Sequence, residues 1–117
     1  MTGPLATYRL TIRRGSEVSR ETYERLGDAV EALQAEAEQV VAEGPLPERK
    51  MIRTYEPQTQ VAARFEISSG GWLGGDTAGV DVMGDGRLVV FRGGIVRREL
   101  EPKGGQTPYD AVRKALR

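Results

Sequence analysis

The sequence predicts an α+β fold: a two-layer sandwich in which an antiparallel sheet of four to five strands carries one long and one short helix, in the order β-α-(β)-β-β-β-α. Three observations predict it. Between residues 20 and 43, Tyr23, Leu26, Val30, Leu33, Ala37 and Val40 recur at three- and four-residue spacing, which makes one apolar stripe along a helix. Residues 6–14 and 60–68 alternate polar and apolar side chains, the pattern of strands with one buried side. Glycine-rich turns separate the later apolar runs, and a Thr-Pro pair opens the last amphipathic segment.

In the first strand, Ala6, Tyr8, Leu10 and Ile12 take one face, while Thr7, Arg9, Thr11 and Arg13 take the other. Gly15 ends it. Ser19 is the expected N-cap of the long helix, because its hydroxyl can accept from an unpaired backbone N–H of the first turn. Glu21 then sits where the helix dipole favours an acid, four residues before Arg25. Gly44 and Pro45 stop the helix, since glycine takes the left-handed position and proline cannot continue. A helix over 20–43 would be about 36 Å long, against about 20–27 Å for a sheet strand.

Met51, Ile52 and Tyr55 are expected in a short strand or a loop across the sheet edge, with Pro57 interrupting any ladder. Over 60–68, Val61, Ala63, Phe65 and Ile67 face one way and Gln60, Arg64 and Glu66 the other. A glycine-rich connection around Trp72 and Leu73 leads to a strand over 78–83, with Val80 and Val82 inward. Gly84, Asp85 and Gly86 form a tight hairpin turn, because glycine and aspartate tolerate positive φ. A returning strand over 87–92, a bend at Gly93 and Gly94, and an edge strand over 95–100 complete the sheet. Thr107 caps the last helix, Pro108 occupies its first position, and Ala111, Val112, Ala115 and Leu116 face the core.

The 117 residues are expected to form one domain, 1–117. No apolar run approaches the roughly 20 residues of a membrane helix, and the first nine residues lack the basic-then-apolar pattern of a signal peptide. There is no cysteine, which excludes disulfides and thiolate chemistry and matches a reducing, cytoplasmic setting. There is no histidine either, so the usual proton carrier and commonest metal ligand are both missing. No metal or cofactor is expected, and the chain reads as a binding protein rather than an enzyme. Net charge is zero, and 14 of the 17 basic residues are arginine, the side chain suited to bidentate contacts with carboxylate or phosphate.

Three functions follow from these features. The first is a noncatalytic protein-binding or assembly domain, self-associating as a homodimer. Its interface is expected at Tyr23, Leu26, Val30, Leu33, Ala37 and Val40, where the helix outruns the sheet, and at Trp72 and Leu73 as an apolar anchor. The second is a nucleic-acid-binding module. Arg9, Arg13 and Arg64 lie on the outward sheet face, widened by Arg97 and Arg98, and would position phosphates. Against this, Arg64 can instead pair with Glu66 or with Asp81 on an adjacent strand. The third is a small-ligand pocket between sheet and helix, lined by Tyr8, Tyr23 and Tyr55.

Overall fold

The structure is a computed structural model that describes residues 7–44, 49–50, 54–55, 60–70, 75–94 and 96–117. Its elements run β1 (Tyr8–Arg14), β2 (Glu17–Tyr23), α1 (Leu26–Ala42), β3 (Arg49–Lys50), β4 (Thr54–Tyr55), β5 (Val61–Ser69), β6 (Thr77–Met83), β7 (Leu88–Arg92), β8 (Arg98–Leu100) and α2 (Pro108–Leu116). Six strands form one antiparallel sheet in the order β2-β1-β5-β6-β7-β8, and β3 pairs with β4 separately. The architecture is the expected α+β arrangement, with six strands in the main sheet rather than four or five.

The added strand is β2, and it corrects the helix prediction. Residues 17–23 fold back on β1, with Arg14 opposite Glu17 and Tyr8 opposite Tyr23. Gly15 at φ +60° and Ser16 make the two-residue connection. Glycine first in such a loop suits the primed turn whose twist matches a hairpin. Ser19 therefore lies in mid-strand and caps nothing. The helix begins only at Leu26, with Arg25 as an N-cap that makes no side-chain cap bond. Its 17 residues span about 25 Å, so the expected overhang beyond the sheet is gone. At the far end Gly44 takes φ +94°, as expected of a helix stop.

Both helices cover one face of the sheet. α1 packs over β5, β1, β2 and β6, α2 over β6 and β7, and the helices touch each other. Leu10, Ala63, Phe65, Ile67, Ala78, Val80, Val82 and Val90 supply the sheet's half of the core. Ala29, Val30, Leu33, Ala37 and Val40 supply α1's half, and Tyr109, Ala111, Val112 and Leu116 supply that of α2. Val61 is an exception to the alternation and is exposed, because the β5–β6 register shifts between Val61 and Ala63. A bulge there turns the strand's first residue out of the core.

The hairpin between β6 and β7 forms as expected, with Gly86 at φ +90° and its N–H donating to Met83 O. Thr107 and Asp110 close a reciprocal capping box at the start of α2. Asp110 N–H donates to Thr107 Oγ1 at 3.1 Å, and Thr107 N–H donates to Asp110 Oδ2 at 3.0 Å. No helix among the described residues is long and apolar enough to cross a membrane.

Candidate functional site

Both helices occupy one side of the sheet; the opposite face is bare of helices among the described residues, and register fixes what stands on it. Three rows cross the strands. One runs Val18, Arg13, Arg64, Asp81, Val89; the next Arg20, Thr11, Glu66, Gly79, Phe91; the third Thr22, Arg9, Ser68, Thr77. Every side chain in these rows points away from the core, by the period-two rule that points Leu10, Phe65 and Val80 inward.

The half of this face over β5, β6 and β7 is internally neutralised. Arg64 donates from Nε and Nη2 to the two carboxylate oxygens of Asp81, at 2.6 and 2.8 Å. Arg97 donates from Nη2 to Glu66 at 2.6 Å and from Nε to Gly94 O at 3.1 Å. Between these forks lies Phe91, with the guanidinium carbons of Arg97 and Arg64 at 4.9 and 5.7 Å from its ring centroid. The ring is only 3% exposed although it stands on the bare face. Gly79 makes room for it: a Cβ there would stand 2.8 Å from Phe91 Cζ and 1.9 Å from Phe65 O. Two cations over the negative faces of one ring, each with a carboxylate partner, hold this part of the sheet closed. The Asp81 pairing also raises the Arg64 pKa, chiefly through the hydrogen bond.

The half over β2, β1 and β5 is different. It is a trough of about 720 Å³, bordered by Arg9, Arg13 and Arg20 and floored by hydroxyls of Thr11, Thr22, Ser68 and Thr77. The three arginines are exposed. None of them forms a hydrogen bond or ion pair among the described residues. Thr11 between them is 7% exposed. The carboxylate at the rim, Glu66, is already engaged by Arg97. The trough therefore presents three uncommitted guanidinium groups above neutral donors, the chemistry that receives an anion.

The predicted arginines thus separate into two groups. Arg9 and Arg13 reach the trough, whereas Arg64 and Arg97 are consumed by ion pairs. Arg98 stands at the opposite edge, in register with Arg92 and on the helix-bearing face. Arg20, the third trough residue, was not foreseen because its segment read as helix. The missed signal was local: Gly15-Ser16 between two seven-residue strands is a hairpin connection.

The predicted interface stripe is largely internal. Val30, Leu33, Ala37 and Val40 lie in the chain's own core, and Tyr23 and Leu26 pack against it half-buried. The first four are covered by the chain's own sheet and second helix. Trp72 and Leu73 lie outside the described residues, as does the segment containing Met51 and Ile52. Phe65, Ile67, Leu33 and Val80, each fully buried, pack the centre of the space between sheet and helices, and a cleft of about 290 Å³ lies at its edge beside Leu100, Ala111 and Ala115. Among the described residues no group of three or more acids comes together to hold a metal ion.

Compared with known proteins, the chain matches no family model, no curated protein and no solved structure.

Proposed function

We propose that this chain is a noncatalytic binding domain that takes an anionic ligand in the β2–β1–β5 trough. The observation that carries the reading is the division of the arginines. Arg64 and Arg97 are satisfied by Asp81 and Glu66, while Arg9, Arg13 and Arg20, on the same face, meet no acid among the described residues. Leaving three exposed cations side by side costs mutual repulsion, which a bound anion would relieve. Neutral hydroxyls beneath them add hydrogen-bond donors without competing charge. The trough's volume falls within the range of small-ligand sites.

The test is chemical-shift mapping with inorganic triphosphate on the uniformly labelled full chain. The reading expects saturable shifts at the amides of Arg9, Thr11, Arg13, Arg20 and Ser68, with α2 undisturbed. Replacing all three trough arginines by glutamine should abolish them. Shifts spread over every basic surface, or none at millimolar ligand, would overturn the reading.

A further inference from the structure

Resting on that anion-binding reading, we infer that the trough holds a single-stranded nucleic acid by three consecutive phosphates and leaves its bases unread. The spacing of the cations is the first support. Arg9 and Arg13 lie four residues apart on one strand face, about 14 Å between their backbones. Arg20 stands opposite Thr11, midway between them and one strand outward. The three cations thus advance in steps of about 7 Å along the strand direction. That progression matches an extended phosphodiester chain, in which a sugar separates each phosphate from the next. The phosphates of a phosphoanhydride share a bridging oxygen and are too close together to reach all three positions at once.

The second support is the fate of the aromatic on this face. Capture of single strands through their bases, selective or not, commonly uses exposed rings on which the bases stack. Among the described residues, Phe91 is the aromatic side chain of the bare face, and Arg64 and Arg97 cover it. The trough itself is lined by arginine, threonine, serine and glycine, with Glu66 tied to Arg97. Such groups bind phosphate and sugar oxygens and position a backbone without reading its sequence. A duplex suits the face less well. Its second file of phosphates would meet the half of the sheet where Arg64 and Arg97 are already paired.

Fluorescence anisotropy on the full chain tests this with oligothymidylate, oligouridylate, an abasic oligomer of equal length, a duplex and inorganic triphosphate. The three single strands should bind within about threefold of one another and more tightly than the duplex. Three phosphate contacts predict a slope of about −2 in log K against log salt. Arg9→Gln, Arg13→Gln and Arg20→Gln should each flatten that slope by about 0.7, and Arg98→Gln should leave it unchanged. If triphosphate binds but the oligomers do not, the single-strand assignment falls and the anion-binding reading stands. If neither binds, both fall. Duplex binding at equal strength, strong preference for one base, or a slope indifferent to the three substitutions would each overturn the assignment.

Discussion

Arg64 and Asp81 face each other across β5 and β6 and form a two-pronged ion pair, with Nε and Nη2 on the two oxygens of one carboxylate. The pair is partly sheltered, with the Asp81 side chain 12% exposed. It removes from circulation the arginine nearest to the trough's own three. Asp81→Ala should therefore do two separable things. Stability should fall by about 2 kcal/mol, the scale of hydrogen bonds to charged groups, as read by urea unfolding. Anion affinity should rise, because a fourth guanidinium becomes available beside Arg13. Unchanged triphosphate affinity in a folded Asp81→Ala protein would mean that Arg64 cannot turn toward the trough.

The Leu33 side chain tests whether the helix stripe is core or interface. Leu33→Ala should cost about 2–5 kcal/mol, as expected for a large buried residue. The loss should be the same at low and high protein concentration, since the Leu33 packing lies within one chain. A dimer seam would make it concentration-dependent.

Gly79 predicts a steric effect. An added methyl would meet the Phe65 carbonyl oxygen and the Phe91 ring. Gly79→Ala should lose about 1–3 kcal/mol. Pairing it with Phe91→Leu should recover only part of the loss, because the carbonyl contact is backbone and remains.

Acid sensitivity should concentrate in part at the start of α2. The Thr107 backbone N–H, and then its hydroxyl, hold the Asp110 carboxyl below the usual carboxylate range. A carboxyl whose folded value is depressed adds stability above its unfolded value of about 3.9, and that stability disappears as pH falls through the folded value. The gap in melting temperature between the parent chain and Asp110→Ala should thus be constant near neutrality and close below about pH 4. A gap that persists at pH 2 would place the effect in something other than the ionised cap.

The legible parts of the fold were those where local chemistry and burial agree. Phe65 and Ile67 alternate with Arg64 and Glu66, so β5 could be read with its inward face. Gly84-Asp85-Gly86 announced the β6–β7 turn, and Thr107-Pro108 with Asp110 announced α2. β2 was hidden because it lies at the sheet edge with six of its seven residues exposed, so no apolar alternation marks it. Tyr23 also falls three residues before Leu26 and prolonged the helical spacing by coincidence. For the site, alternation placed Arg9, Arg13 and Arg64 on one face correctly. It could not say which of them meets an acid, because Arg64–Asp81 depends on strand order and Arg97–Glu66 joins residues 31 apart in sequence. The shelter of Phe91 required the register that sets Gly79 beside it.

One-sided helix coverage separates the residues that make the domain stable from those of the proposed anion site. Leu10, Phe65, Ile67 and Val80 anchor the fold on one side, while Arg9, Arg13 and Arg20 stand exposed on the other. Exchanging exposed side chains of the second kind typically shifts stability by no more than about 0.5 kcal/mol. The side chains of the proposed anion site can therefore be exchanged, by selection or by design, almost without disturbing the capacity to fold.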